Sequence, residues 1–314
     1  MDLFVSVLWG ALGVGLLVWG AERLVRSARA RAMVTGASTF LVGLLATSAD
    51  LESTAAGLAA AHRGLDSVAV GISVGSVVFL ATVALGVAAL LFPFSVRTPP
   101  YFLAAMAGSA GAVALFLRDG HLGRVEAAWL MALFVGLLAG TRRHLRGSGA
   151  RVESVGAEPL GSTLVRTRTR FVLTVAGSLV AMGVGAELLA NGAHRAVVAA
   201  NQSETFIGMI VVAVALSLEE GLLGVLPAHR GVPEIAVGNV VGTTVFLLTA
   251  SLGLVALVHP LHVRPELVTF HVPAMLGAVA LCWWALTRPR TGRREGAVLV
   301  AYYVLYLLAS AVLQ

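Results

Sequence analysis

Long apolar runs separated by short polar segments make up most of the chain. Ten of these runs approach or exceed the length that a helix needs to cross a bilayer, about 20 apolar residues. One sizeable polar segment, about 142–170, is rich in Arg, Gly and Ser and separates five runs from five. The pattern predicts an all-α integral membrane protein with ten transmembrane helices and a flexible central loop. The ten runs lie at about 3–20, 39–62, 67–92, 101–117, 125–141, 171–190, 205–229, 233–258, 267–287 and 296–313.

The composition agrees with a chain that lies almost entirely in the bilayer. Hydrophobic residues make up 58% of it and charged residues 12%, and the mean hydropathy is +0.90. A soluble domain carries about 25% charged residues. The net charge of +6 forms no basic stripe with interleaved aromatic residues, which argues against nucleic-acid binding. A single cysteine, Cys282, excludes an internal disulfide and a cysteine-based zinc site.

The distribution of basic residues predicts the orientation. All 22 are Arg, and with ten spans 17 fall on the side of the central loop and five on the other. Basic residues are retained on the cytoplasmic side of a membrane. We therefore expect a multi-pass protein of a prokaryotic plasma membrane, with the loop in the cytoplasm and both termini outside.

An internal duplication relates the two halves. Residues 61–90 and 228–257 align without a gap, and 17 of the 30 positions are identical. Because five spans is an odd number, a second copy of five must be inverted in the membrane, and inverted repeats place the substrate site where the copies meet. The predicted division is a first repeat at 1–141, a cytoplasmic loop at 142–170 and a second repeat at 171–314, with ion-binding repeats at about 39–90 and 205–257.

Carboxylates interrupt the second span of each copy. Glu219 and Glu220 lie inside the run 205–229, although a carboxylate near the bilayer centre costs about 2.5–3.5 kcal/mol. Such a group marks an ion path or, alternatively, a structural carboxylate that pairs with Arg or caps a broken helix. The acid and hydroxyl residues of the first copy are Thr47, Ser48, Asp50, Glu52 and Ser53, and those of the second are Ser217, Glu219 and Glu220.

The next span of each copy carries a Gly-x-x-x-Gly pattern followed by a hydroxyl, Ser76 in one copy and Thr243 in the other. The glycines favour close packing of helices, which is compatible with a nearby site. Carboxylates, hydroxyls and freed carbonyls are hard oxygen ligands, which suit Ca²⁺. Zinc prefers His or Cys, and neither occurs at these positions.

These motifs resemble those of the Ca²⁺:cation antiporter superfamily, the sodium/calcium exchanger group, whose repeats contain G-T-S-L-P-E followed by G-N-x-x-G-S-N-x-F-N. The second copy has A-L-S-L-E-E at 215–220 and G-N-V-V-G-T-T-V-F-L at 238–247, and the first has A-T-S-A-D-L-E at 46–52 and G-I-S-V-G-S-V-V-F-L at 71–80. The resemblance implies a fold of two inverted five-helix repeats. It also implies antiport of Ca²⁺ against Na⁺ or H⁺ by alternating access, with spans 1 and 6 rocking against the rest.

The sequence departs from the family pattern at several positions. By family spacing Glu220 takes the place of the ion-binding Glu, whereas the repeat alignment pairs Glu219 with Glu52. In the first copy Leu51 falls at the expected Glu position, between Asp50 and Glu52. Leucines replace the polar residue of the second motif helix, at positions 80 and 247.

We predict a metal site formed by Glu52 and Glu220, with Asp50 and Glu219 close by. Its remaining oxygens are expected from Thr47, Ser48, Ser217, Ser76 and Thr243. No nucleophile or phosphate-binding motif indicates an enzyme, and no cofactor is expected. The expected partners are metal cations and the lipid bilayer, and the chain is expected to be a monomer. The alternatives are a proton-coupled carrier of another divalent cation and a non-transporting membrane module whose carboxylates are structural or sense pH.

Overall fold

The structure is a computed structural model that describes residues 8–20, 23, 50–147, 168–200, 217, 221, 225, 228, 229 and 233–312. The described helices are α1 Leu8–Gly20, α2 Leu51–His62, α3 Asp66–Phe79, α4 Leu85–Leu91, α5 Pro100–Phe116, α6 Arg124–Gly147, α7 Arg168–Ala200, α8 Pro233–Phe246, α9 Leu252–Val258, α10 Val272–Leu286 and α11 Arg293–Val312. Three π-helical turns join or precede them: π1 Leu80–Ala84, π2 Leu247–Ser251 and π3 Leu267–His271. Two short strands, β1 His121–Leu122 and β2 Leu261–His262, pair antiparallel.

Six described helical segments are long and apolar enough to cross a membrane. They are Asp66–Leu91, Arg124–Thr141, Val172–Leu189, Ala236–Val258, Leu267–Leu286 and Arg293–Val312. The shorter apolar helices α1 and α5 match two further predicted spans. The predicted span 39–62 is described from Asp50 onward, and 205–229 at five positions that are all helical; their other residues lie outside the described part.

The predicted central loop is too long at both ends. Helix α6 continues to Gly147 and helix α7 begins at Arg168, so residues 142–147 and 168–170 are helical rather than loop. The sequence 142–147 contains three Arg, and the backbone dipole of a helix favours positive charge at its C-terminus. The rest of the predicted loop, 148–167, lies outside the described residues.

The duplicated segments fold alike. Helix α3, π1 and α4 have 14, 5 and 7 residues, and so do α8, π2 and α9. In each π turn a threonine hydroxyl, of Thr82 or Thr249, donates to the carbonyl oxygen four residues earlier. Single π turns inside helices are frequent at functional sites.

The two copies are inverted with respect to one another. Strand β1 follows α5 and pairs with β2, which precedes α10. At the opposite ends of these helices Phe94 precedes α5 and forms a bridge with Thr291, which follows α10. The same pairing between copies therefore occurs once at each end of the molecule, as an inverted repeat requires.

Each copy packs its last helix against the central helices of the other. Helix α6 contacts α9 and helix α11 contacts α4. A Cβ atom at Gly86 would lie 3.1 Å from the carbonyl oxygen of Gly296, and one at Gly253 would lie 3.2 Å from that of Ala127. Small residues permit this approach, as is common between membrane helices.

The central and peripheral helices differ in exposure. In the apolar 18-residue stretch within Asp66–Leu91 and in that within Ala236–Val258, 78% and 83% of the residues are buried, but in Arg124–Thr141 only 17% are. Exposed large apolar side chains such as Val125, Trp129 and Leu173 face the surroundings, which in a membrane are lipid chains. The turns π1 and π2, which belong to the central helices, thus lie in the protein interior.

Candidate cation site

Asp50 lies within the predicted second span of the first copy, directly before α2. It caps the N-terminus of α2, where its Oδ1 accepts a hydrogen bond from the backbone N–H of Ser53 at 2.7 Å. Asp50 is only 1% exposed, and its Oδ2 has no hydrogen-bond partner among the described residues. The structural role considered from the sequence, a cap on a broken helix, therefore accounts for one oxygen of this carboxylate and leaves the second one available.

The first turn of α2 concentrates buried oxygen atoms. Glu52 is 6% exposed and Ser53 is 1% exposed. A carboxylate is favoured there because backbone N–H groups at a helix N-terminus carry partial positive charge. The Ser53 hydroxyl has no hydrogen-bond partner among the described residues, and Ser53 occupies the position that the repeat alignment pairs with Glu220.

Three further hydroxyls that were predicted as site groups are buried. Thr243 on α8 is fully buried, and so is its counterpart Ser76 on α3. Ser217 is also fully buried, and in the described part of the chain neither its hydroxyl nor that of Thr243 has a hydrogen-bond partner. A buried polar atom without a partner costs about 1–3 kcal/mol, so a group of them indicates a place where a ligand or ion supplies the missing contact.

The copies contact each other at the π turns. The Thr54 hydroxyl on α2 forms a hydrogen bond of 2.8 Å with the hydroxyl of Ser251, the last residue of π2. At the equivalent position of the second copy, a Cβ atom on Gly221 would lie 3.2 Å from the ring of Phe79, the residue before π1. Helix α2 of the first copy therefore contacts π2, and Gly221 of the second copy lies beside the residue that precedes π1, so the copies meet near these turns.

Leucines occupy the turns themselves. Leu80 and Leu247 are the first residues of π1 and π2, and both are fully buried. Polar atoms are found instead at the Thr82 and Thr249 hydroxyls, which bond to their own helices, and at Ser251. The centre of the interface is therefore apolar where the family motif has a polar side chain.

The structure describes five of the nine predicted site residues. Asp50, Glu52, Ser76, Ser217 and Thr243 are all buried. The other four, Thr47, Ser48, Glu219 and Glu220, lie outside the described residues. Within the described ranges no three His, Cys, Asp or Glu side chains are grouped as a metal site, and Glu219 and Glu220 lie outside those ranges.

Three residues of this interface were not among the predicted site residues. Ser53 could have been selected by pairing it with Glu220 in the repeat alignment. The alignment gives no such signal for Thr54 and Ser251, because their counterparts are Gly221 and Ala84. Their contact joins residues 197 positions apart, so it was visible only in the folded chain.

Solved structures with this fold are ion exchangers of membranes. The sodium-calcium exchanger NCX_Mj superposes with a TM-score of 0.61 at 21% identity, covering 98% of both chains. The H⁺/Ca²⁺ exchanger CAX superposes with a TM-score of 0.78 at 14% identity, covering 96% of this chain and 82% of its own. At these identities the likeness establishes the fold, an all-α membrane exchanger architecture of two repeats.

The sequence comparisons identify the family. Residues 5–141 and 170–312 match the model of the sodium/calcium exchanger protein family, and the chain belongs to that family. Inner membrane protein YrbG of Escherichia coli is 28% identical over 94% of both chains. Putative antiporter CaxA of Alkalimonas amylolytica is 26% identical over 82% of both. Members of the family are ion exchangers and not enzymes, as predicted.

Proposed function

We propose that the protein exchanges Ca²⁺ for Na⁺ or H⁺ across a prokaryotic plasma membrane by alternating access. The observation that carries the proposal is the group of buried oxygens without partners among the described residues, on Asp50, Ser53, Ser217 and Thr243. Asp50 and Ser53 lie in the turn of α2 that contacts the other repeat through Thr54 and Ser251, and inverted repeats bind substrate where the copies meet. An oxygen-only set suits a hard cation such as Ca²⁺.

The mechanism requires carboxylates that bind Ca²⁺ in one step and Na⁺ or protons in the other. Glu52 and Glu220 would hold one Ca²⁺, and Na⁺ ions or protons would neutralise them on return. Spans 1 and 6 would move together, because a Cβ atom on Gly13 of α1 would lie 2.7 Å from the carbonyl oxygen of Gly185 on α7. At this crossing the two helices pack backbone to backbone, as small residues permit between membrane helices, so we expect them to move as a pair.

The coupling ion that the site favours is H⁺. Leu80 and Leu247 are fully buried where polar side chains would supply oxygens for several Na⁺ ions. Purified protein in Ca²⁺-loaded proteoliposomes should therefore release Ca²⁺ in response to a pH gradient in Na⁺-free buffer. A strict requirement for Na⁺ would establish the other coupling.

The carboxylates are tested by amide substitution, which keeps the volume and removes the charge. Glu220→Gln and Glu52→Gln should each abolish Ca²⁺ flux without unfolding the protein. Glu219→Gln and Asp50→Asn should be milder, and Asn retains the ability to cap α2. If Glu219→Gln were inactive while Glu220→Gln transported normally, the repeat alignment rather than the family spacing would define the site.

The same vesicles separate the competing functions. Flux of another divalent cation but not Ca²⁺ would indicate a proton-coupled carrier of that ion. A stable protein with no flux of any cation would indicate a non-transporting module with structural carboxylates, a role that the capping bond of Asp50 and the buried Leu80 and Leu247 favour.

The orientation is a separate proposal, based on the Arg distribution. We infer that the central loop is cytoplasmic and that both termini are outside. A cysteine introduced as Ser148→Cys should react with an impermeant maleimide only after the membrane is opened, while the native Cys282, which is buried, serves as the unreactive background. Labelling of intact right-side-out cells would show that the central loop is outside, which is the opposite orientation.

A further inference from the structure

A hydrogen bond between the two repeats holds only one half of the candidate site. The hydroxyls of Thr54 on α2 and Ser251 in π2 lie 2.8 Å apart, and Thr54 is 6% and Ser251 1% exposed. The equivalent residues on the other half are Gly221 and Ala84, which have no hydroxyl. The second copy therefore cannot form the same bond, although its backbone follows the same course through π1 and π2.

The bond acts on the turn that carries the carboxylates. The Thr54 hydroxyl donates its one hydrogen to the carbonyl oxygen of Asp50, at 2.9 Å, so it accepts from the hydroxyl of Ser251; the backbone N–H of Thr54 donates to the same Asp50 oxygen at 3.2 Å. Between these two residues lie Glu52 and Ser53. A side chain that holds Thr54 therefore holds the whole first turn of α2, including the unpartnered Oδ2 of Asp50 and Oγ of Ser53.

Ser251 is well placed to provide a fixed point. It ends π2, and π2 contacts α2, α3, α5 and α6. Its counterpart Ala84 shows that the π turn itself does not need a hydroxyl at this position. The serine is therefore explained by its contact with Thr54 and not by the local helix geometry.

We propose that Ser251 is a positioning residue of the cation site, which through Thr54 fixes the first turn of α2 and its carboxylates against π2. This inference rests on the proposed function. It divides the site into a fixed half on α2 and a half in the second copy that lacks this restraint. A fixed oxygen set discriminates between cations of different size better than a mobile one, because coordination geometry and flexibility set selectivity among divalent ions.

The test compares transport kinetics of Ser251→Ala and Thr54→Val with those of the wild type in proteoliposomes. Each variant should raise the KM for Ca²⁺ about three- to tenfold, the range expected for one lost hydrogen bond, with little change in the maximal rate. Each should also reduce the preference for Ca²⁺ over Sr²⁺ and Mg²⁺. The double variant should resemble Thr54→Val, because Ser251→Ala removes nothing further once the Thr54 hydroxyl and its bonds to Ser251 and to the Asp50 carbonyl are gone.

Conservative variants and a matched control separate positioning from general damage. Ser251→Thr and Thr54→Ser keep the hydroxyls and should restore the wild-type KM. Ser109→Ala removes a buried hydroxyl that bonds only within its own helix, to the carbonyl of Ala105 at 2.8 Å, and should leave the KM unchanged. If Ser251→Ala does not fold, Thr54→Val removes the same inter-repeat bond together with the bond to the Asp50 carbonyl, and valine preserves the shape of threonine.

A second readout does not depend on turnover. Added Ca²⁺ should raise the unfolding temperature of the purified wild type, and in Ser251→Ala the same rise should need about three- to tenfold more Ca²⁺. Wild-type flux and binding with an unchanged KM in both variants would overturn this inference and leave the proposed function standing. Absence of both flux and Ca²⁺ binding in the wild type would overturn the proposed function and this inference together.

Discussion

The two repeats have the same succession of helical segments but differ in the polar contacts that each makes with the other. Helix α3, π1 and α4 match α8, π2 and α9 residue for residue in length. At the start of these units, however, Asp66 is replaced by Pro233. Asp66 Oδ2 accepts a hydrogen bond from the backbone N–H of His262 at 2.9 Å, and Oδ1 lies 3.8 Å from Nδ1 of His259. Proline has no side-chain acceptor, so only the first copy ties its central helix to the loop of the other copy in this way.

The loops at the two ends differ correspondingly. His259 and His262 follow α9, and the residues at the equivalent positions after α4 are Phe92 and Ser95. Phe92 packs against the ring of His229, with centroids 4.7 Å apart. At one end Asp66 adds a carboxylate contact to the ring packing of His121 on His262, whose centroids lie 4.5 Å apart, and at the other end Phe92 packs on His229. Duplication preserved what close helix packing requires, while the polar contacts between copies could diverge.

The largest effect is expected where the copies are equivalent. Gly86→Leu and Gly253→Leu should each destabilise the protein by about 1–3 kcal/mol or more, because the new side chain overlaps the backbone of α11 or α6. Thermal unfolding in detergent measures this. Gly108→Ala is the control, since no atom lies within 4 Å of the Cβ position, and it should be neutral or stabilising. Strongly unequal effects of the two leucines would show that the copies do not interlock symmetrically.

A smaller and one-sided effect is expected at the polar end. Asp66→Ala should lower the free energy of unfolding by about 1–3 kcal/mol, because the N–H of His262 loses a charged acceptor. Asp66→Asn should cost less, since its amide oxygen can still accept. The same unfolding assay applies, and Pro233→Ala, at the equivalent position of the other copy, should remove no such contact. Equal losses at 66 and 233 would contradict the proposed asymmetry.

The cap of α2 should contribute somewhat less. Asp50→Ala removes the acceptor for the Ser53 N–H and should destabilise the protein by about 0.5–2 kcal/mol. Asp50→Asn keeps the cap and should retain most of the stability. Measuring unfolding and Ca²⁺ flux on both variants separates the structural oxygen of Asp50 from the one available to a cation. Equal stability of the two variants would argue against the capping role.

The smallest effect is expected at the surface. Arg63, which follows α2, forms an ion pair with Glu187 of α7. The two side chains are 29% and 53% exposed. Glu187→Gln should therefore cost only about 0.2–1 kcal/mol. The loss should decrease as salt is added, because exposed charges are screened. A loss that does not respond to salt would indicate that Glu187 acts by packing.

The sequence by itself determined the membrane class, the number and approximate limits of most described spans, and the family. Each of these depends on hydrophobicity over about 20 neighbouring residues or on similarity between aligned segments, which the chain displays directly. Glu52, Ser76 and Thr243, which the sequence selected as site residues, are buried in the structure. All nine site residues remain predictions as cation ligands.

Only the tertiary structure decided how the two copies meet. The turns π1 and π2 lie within continuous apolar runs. Because nearly every side chain there is apolar, hydropathy cannot distinguish an α-helical turn from a π-helical one. The Thr54–Ser251 bond joins residues 197 positions apart, and the capping of α2 by Asp50 depends on the conformation of one backbone turn. Contacts of this kind are set by how closely two helices approach, which depends on every packed side chain between them and not on any local pattern.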